Sequence, residues 1–379
     1  MKVYLDNNAS TPVDPDVIKS MKPYIGKYYG NPSSGHWLGI KGREAIEIAR
    51  KQVADLIGAK PYEIIFTSGA SESNNMVLKG IVEANSEKIM QIITTRIEHP
   101  AIIEPCKFLE RKGVKVTYVG VDEDCIVNTK DIEKAITDET ILVSVMHANN
   151  EVGTIQPLTE ISEICKKKGI YFHTDAAQTV GKIQINVNHL GVDLLSIAGH
   201  KFYVPKGIGA LYIKDGVKIE NLIHGANHEM GKRAGTENVA GIVALGKASQ
   251  IAWENMENYN IEIRRLRDLL HEKLKLIAKV KLNGHNTQRL PNTLNLSFEE
   301  VDSTELLSKL KNIALSTGSA CHDNVKKPSE VLINMGVSKE LALGAVRFSL
   351  GKYNTEEEIN YVVEKIKKII EEITENERQ

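Results

Sequence analysis

Short apolar runs alternate with amphipathic stretches through the middle of this chain. Residues 63–67 predict a strand and 71–84 a helix; 91–95 predict the next strand and 100–112 the next helix. Apolar runs at 114–119 and 141–146 predict two more strands, followed by a helix over about 158–168. Further strands are expected at 170–174, 192–197 and 209–213. This alternation predicts an α/β fold with a mostly parallel sheet covered by helices, and such sheets bind ligands at the carboxyl ends of their strands. After Gly235 the pattern changes. A long helix runs from about Val239 into the 270s, with a break expected near 257–259. Short strands follow at 280–282, 293–297 and 346–350, with helices near 303–310 and over 356–374. In the last helix Ile359, Val362, Val363, Ile366, Ile369 and Ile370 share one face. The expected division is a large domain over 15–255 and a smaller α+β domain from 1–14 and 256–379.

Composition narrows this picture without changing it. A hydrophobic fraction of 42% suits a substantial core, and 48 Lys+Arg against 49 Asp+Glu leave a net charge of −1 and no global basic field for nucleic acid. The polar N-terminus does not read as a signal peptide, and no run of about 18 apolar residues predicts a membrane span. The cysteines at 106, 125, 165 and 321 form no CxxC pair, so neither a disulfide framework nor a metal site is expected, and the cytoplasm is the natural setting. Cys106 and Cys165 fall in predicted helices and read as buried; acids around Cys125 disfavour its thiolate.

The candidate chemistry gathers at strand ends. Lys201 follows the strand at 192–197, and Asp175 ends the strand at 170–174. A lysine can form a Schiff base with pyridoxal phosphate while an acid holds the pyridinium nitrogen protonated; a surface Lys–Asp pair uses the same two residues. The segment 67–75 joins a strand to a helix through small residues, which suits phosphate at the helix start; Ser71 also reads as an ordinary N-cap. It is not a Walker loop. The run Gly241 to Gly246-Lys247 is followed by Ala248 where a hydroxyl should hold magnesium, and it lies in a helix. His99 follows another strand and could stack on a ring or shuttle a proton. Gln178 and Asn149-Asn150 offer neutral amides toward the same rim, or serve as turn residues. Arg347, inside an apolar strand, needs an anionic partner, either a substrate carboxylate or a structural acid. Cys321 stands among glycine, serine and His322 as a candidate second nucleophile.

Many segments, in one order over nearly the whole chain, carry a family resemblance. They include Asp6-Asn7-Asn8-Ala9, Gly30-Asn31-Pro32, the 67–75 segment, Glu98-His99, Asn149-Asn150-Glu151, His173-Thr174-Asp175-Ala176-Ala177-Gln178, Gly199-His200-Lys201, Arg233-Ala234-Gly235-Thr236, Gly318-Ser319-Ala320-Cys321 and Arg347-Phe348-Ser349. The chain resembles the NifS/IscS-like cysteine desulfurases, and the related selenocysteine lyases, of the class V aminotransferase fold. The resemblance implies a fold type I pyridoxal phosphate enzyme, a homodimer, that converts L-cysteine to L-alanine. It places the cofactor on Lys201, Asp175 at the ring nitrogen, Gln178 at the phenolic oxygen and His99 over the ring. Ala70, Ser71 and His200 would bind phosphate, with Thr236 from the other subunit. Asn150 and Arg347 would hold the substrate carboxylate. Cys321 would accept sulfur and pass it to an acceptor such as an iron–sulfur scaffold or a thiolation protein. Ala198 departs from the serine of many members and removes one phosphate contact. The segments 288–293 and 320–323 look closer to selenocysteine lyases, so L-selenocysteine is the alternative substrate, and an aminotransferase or β-lyase the alternative activity.

Overall fold

Strands with apolar residues at successive positions can be buried on both faces, and the central strands here are of that kind. The computed structural model describes residues 1–86, 89–317 and 327–377. In chain order its strands are β1 (Val3–Tyr4), β2 (Ile64–Thr67), β3 (Gln91–Thr95), β4 (Lys115–Val119), β5 (Thr140–Ser144), β6 (Tyr171–Asp175), β7 (Leu194–Ala198), β8 (Gly209–Ile213), β9 (Val280–Leu282), β10 (Thr293–Phe298), β11 (Ile313–Ala314) and β12 (Ala345–Ser349). The α-helices are α1 (Pro15–Gly26), α2 (Trp37–Ile57), α3 (Ala70–Glu83), α4 (Pro100–Glu110), α5 (Thr129–Ala135), α6 (Leu158–Lys168), α7 (Val187–Leu190), α8 (Val239–Lys275), α9 (Ser303–Lys309), α10 (Glu330–Asn334), α11 (Lys339–Leu343) and α12 (Glu356–Glu377). No described helix is long and apolar enough to cross a membrane.

The main sheet has seven strands in the order β2-β8-β7-β6-β5-β3-β4. β8 pairs antiparallel with both β2 and β7, and the remaining pairs are parallel. Alternate residues of each strand enter different cores. Phe66, Ile93, Val143, Leu195 and Ala210 pack under α2, α6 and the first half of α8. Ile65, Ile92, Leu142, Leu194 and Leu211 pack under α3 and α4. A three-stranded antiparallel sheet, β12-β10-β9, lies apart from these. Its apolar cluster joins Leu294, Leu296, Val346 and Phe348 to Val3 and Leu5 of the N-terminal segment, to Leu266 and Leu270 of α8, and to the Ile359, Val362 and Ile366 face of α12.

The expected break in the long helix is absent. α8 runs unbroken over 37 residues, roughly 55 Å, from one cluster into the other. No Gly or Pro occurs between Lys247 and Lys275, and the Asn255 side chain donates to the Ile251 carbonyl without disturbing the helix.

A buried ion pair ties the segment after Gly225 to the sheet. Arg50 of α2 meets Glu229 with both guanidinium ends, at 2.8 and 2.9 Å, and Glu229 also accepts the Phe66 N–H at 2.8 Å. Arg50 is 4% and Glu229 5% exposed, so removing one partner strands the other charge away from water. Arg50→Met is expected to lower unfolding free energy by about 3–5 kcal/mol. Urea denaturation followed by circular dichroism measures it; a change below about 1 kcal/mol is what a surface pair would give and would contradict the assignment.

Candidate active site

Strands β2, β3, β5, β6 and β7 run in one direction and end on one rim; β8, running back, begins there. Loops from these ends line a cavity of about 580 Å³. A larger groove of about 790 Å³ lies along α8, between Leu56, Trp253, Ile261 and Arg264, but it gathers no set of nucleophile, acid and base. The strand-end cavity holds the chemistry.

One end of it is built for an anion. The loop after β2 turns at Gly69, whose φ of 151° suits glycine, and a Cβ at that position would point into open space. Gly69, rather than Ser71, is the N-cap of α3, and Ser71 is the second residue of the helix. A cap without a side chain leaves the first helical N–H groups uncovered. Among the described residues no acceptor is found for the N–H of Ala70, Ser71 or Glu72. Gly209 lets this loop sit close, since a Cβ there would come within 2.7 Å of the Gly69 Cα. Ala198 and His200 complete this wall, with Lys206 and Gly207 beyond them. Burial, with Lys201 and Lys206 nearby, pulls His200 down to about 4, so it is a neutral hydrogen-bonding ring.

Lys201 sits at the cavity floor in a short turn after β7, half-buried. Its Nζ donates to the carbonyls of Asn8 and Ala9 at 2.6 and 2.9 Å. Burial first, then Arg347, draws the amine down to about 8 against the opposite pull of Asp175 and Asp6. Asp175 closes β6 with its carboxylate held by the Asn74 amide at 2.6 Å and the Ala177 N–H at 2.9 Å. Below it, His173 lies between Ser144 and Ser196 at 2.8 and 3.0 Å, and burial drives it to about 3, a neutral spacer inside the sheet. His99 caps α4 by accepting the Ala101 N–H on Nδ1 at 3.0 Å, which leaves the proton on Nε2. Its outer edge is open to solvent, yet desolvation of the rest outweighs Asp175 and, with Lys201, holds its pKa below the usual imidazole value.

The substrate end is formed by Arg347 on β12. Its guanidinium pairs with Asp6 at 2.7 Å and donates to the Asn150 carbonyl at 3.0 Å, while its buried Nε has no partner among the described residues. Both partners foreseen for this arginine are thus compatible: a structural acid steadies it, and it still lines the cavity with Asn150. Thr236 is not brought into this cavity. It is exposed in a separate cleft with Ser68, Gly207 and Arg233. Cys321 lies outside the described residues. The other thiols are buried, and burial pushes Cys106 and Cys165 up to about 12 and Cys125 well above its ordinary value.

Four participants have no counterpart among the expected site residues. Asn74 holds Asp175, Asp6 holds Arg347, the Asn8 carbonyl holds Lys201, and Glu98 lies buried behind His99. Glu98 accepts from Thr95 and from the Met146 N–H, and burial raises it to about 8. All four lie inside segments that carry the family resemblance, but a hydrogen bond across 101 residues, such as Asn74 to Asp175, leaves no local signal of its partner.

The arrangement fits pyridoxal phosphate: uncovered N–H groups for phosphate, a carboxylate and an amide for the ring, and an amine of lowered pKa at the floor. The comparisons agree with the geometry. A family model described as Aminotransferase class-V matches residues 3–362. Cysteine desulfurase IscS of Dictyoglomus turgidum is 51% identical over 375 residues, 98% of this chain and 95% of the relative. Among solved structures, a NifS-like protein matches with a TM-score of 0.93 at 42% identity, covering 98% of this chain and 100% of that one. A structure of SspA in complex with cysteine matches with a TM-score of 0.84 at 37% identity, covering 94% and 100%.

Proposed function

The chain belongs to the class V aminotransferase family, and on that premise we propose that it is a cysteine desulfurase, releasing L-alanine from L-cysteine and carrying the sulfur on Cys321. The observation that carries this reading is the meeting of Lys201, Asp175, His99, Gln178 and Arg347 on one cavity. Pyridoxal phosphate, the cofactor of this family, supplies an electron sink that acidifies the Cα–H of a bound amino acid. Lys201 would hold it, Asp175 would keep its ring nitrogen protonated, and Ala70, Ser71 and His200 would bind its phosphate.

The remaining steps fall to the chain's own groups. Arg347 and Asn150 hold the substrate carboxylate, which fixes the orientation of the Cα–H bond. Lys201, with a pKa near 8, keeps roughly a tenth of its amine neutral at pH 7 and serves as the base for that proton. The Cys321 thiolate attacks the substrate sulfur: an S–S bond forms as the Cβ–S bond breaks, and the electron pair of that bond stays with carbon. Two protons then complete alanine: Cβ takes one, for which Nε2 of His99 is the donor, and Cα regains the one that Lys201 removed. The other three thiols are buried with raised pKa values, which leaves Cys321 as the remaining nucleophile of four cysteines. The persulfide sulfur passes to an acceptor, an iron–sulfur scaffold or a thiolation protein, in the cytoplasm.

A homodimer belongs to the same proposal. Thr236 is exposed in a cleft that shares Ser68 and Gly207 with the phosphate wall, and the family resemblance implies that the phosphate receives this residue from a second copy. The proposed domains are 15–255 for the cofactor, and 1–14 with 256–379 for the thiol and Arg347.

The test is a product assay with L-cysteine and L-selenocysteine side by side. Alanine with sulfide, at kcat/KM for cysteine no lower than for selenocysteine, is the expected outcome. A keto acid in place of alanine would make the protein an aminotransferase or β-lyase, and turnover of selenocysteine alone would make it a selenocysteine lyase, the reading that Ala198 favours.

A further inference from the structure

Lys182 follows Gln178 by four residues, after a turn at Gly181 whose φ is 75° and whose Cβ position is filled by Phe202. It is only 9% exposed and no carboxylate is among its described partners. Instead Nζ donates to Gln178 Oε1 at 2.8 Å and to Asn8 Oδ1 at 3.2 Å. Asn260 of α8 fixes its backbone, donating to the Lys182 carbonyl at 2.6 Å. A buried amine with two amide acceptors and no counter-charge among the described residues calls for a reason beyond stability.

The reason lies in what an amide can face. The nitrogen of Gln178 donates to the Asn8 carbonyl at 3.0 Å, and its oxygen receives Lys182. Turned over, that oxygen would stand against the Asn8 carbonyl oxygen, and the nitrogen against the Lys182 donor. Asn8 cannot turn to compensate. Its amide nitrogen donates to Thr293 Oγ1 at 2.8 Å and to the Asn150 carbonyl at 3.2 Å, and its oxygen also accepts from Asn292 at 3.0 Å. The same Asn8 carbonyl receives Lys201. We infer that Lys182 is a positioning residue that fixes the direction of the Gln178 amide, so that one Nε2–H goes to Asn8 and the other is left for the phenolic oxygen of the cofactor. Burial, then Lys201 and Arg347, pull the Lys182 amine well below its ordinary pKa, and the amine has N–H bonds enough for its two acceptors whether charged or neutral.

This rests on cofactor binding and not on desulfuration, so its test needs no turnover. Lys182→Met keeps an unbranched side chain, one atom shorter, and removes its N–H groups. The visible absorption band of the resting, cofactor-loaded protein is titrated with pH in wild type, Lys182→Met, Gln178→Ala and the double variant. A donor on the phenolic oxygen lowers the proton affinity of the lysine-bound cofactor, so losing it should raise the apparent pKa by about one unit, a tenfold change. Gln178→Ala should show the same shift, and Lys182→Met should add nothing to it. Wild-type titration in Lys182→Met, or a shift that adds in full to that of Gln178→Ala, would overturn the inference. Should Lys182→Met not fold, Lys182→Ala carries the same comparison. Failure of cofactor binding itself would show separately, as a wild-type protein with no visible band.

Discussion

Lys201→Ala should purify without the visible band of lysine-bound pyridoxal phosphate and form alanine from cysteine at least ~10³-fold more slowly than wild type. The magnitude follows from two roles on one atom: the covalent hold on the cofactor and the proton transfer at Cα. The fold should survive, because Lys201 is only half-buried and its two hydrogen bonds go to backbone carbonyls that water can serve. Thermal unfolding near the wild-type midpoint is therefore the control. The wild-type apo-protein adds a pH signature. The neutral amine is the nucleophile, and its pKa is drawn down to about 8. Cofactor uptake should thus quicken with rising pH and level off above about 8. A visible band or wild-type turnover in Lys201→Ala, measured by absorbance and alanine assay, would remove this lysine from the chemistry.

The rim of the sheet was legible because several strands there are mainly apolar runs that give way to small or polar residues. Ile64 to Phe66 stop at Thr67-Ser68, and Leu194 to Ala198 at Gly199-His200. Parallel strands place such stops together, so Lys201, Asp175, His99 and the 67–75 segment could be assigned to one edge before any contact was known. The reversed course of β8 was also within reach: the link over 199–208 is shorter than the dozen or so residues a parallel crossover needs. The unbroken α8 was harder, because its polar stretch at 254–260 resembles a loop. Its continuity comes from spanning two apolar clusters, which is tertiary information. Helix α2 hides for a different reason: small residues such as Gly42, Ala45, Ala49 and Ala54 carry much of its buried face, which lets α8 approach closely but gives a weak hydrophobic period.

The groups that hold the site residues were not legible, and Lys182 shows why. Lysine is ordinarily a surface residue, and nothing within its own segment says that its amine ends at Asn8 and Gln178. Asn8 is brought there from the far end of the sequence because β1 pairs with β11 and Asp6 bridges to Ser349 beside Arg347. The site is thus assembled where the N-terminal segment passes between the two sheets. Local pattern locates the reacting groups; the long-range hydrogen bonds that aim them appear only with the fold.

Cys321→Ser separates the two halves of the proposed reaction. The Lys201 cavity should be untouched, so this variant should keep the visible band, and cysteine should still perturb that band on mixing. Sulfide release and persulfide labelling should fall by about 10³-fold or more, since a serine hydroxyl is a far weaker nucleophile toward sulfur than a thiolate. None of the other thiols can substitute, because Cys106, Cys125 and Cys165 are buried and their pKa values raised. The pattern has a pH consequence in the wild type as well: the reacting form is the thiolate, so persulfide formation should increase with pH toward the thiol pKa. Mass spectrometry of the protein after one equivalent of cysteine reads the outcome directly, as a 32-dalton increment (one sulfur atom, about 32 Da) on the peptide that contains Cys321. Full desulfuration by Cys321→Ser would place sulfur release on the cofactor side alone. That behaviour belongs to a selenocysteine lyase or a simple β-elimination, in which the amine at Lys201 does all of the protein's chemistry.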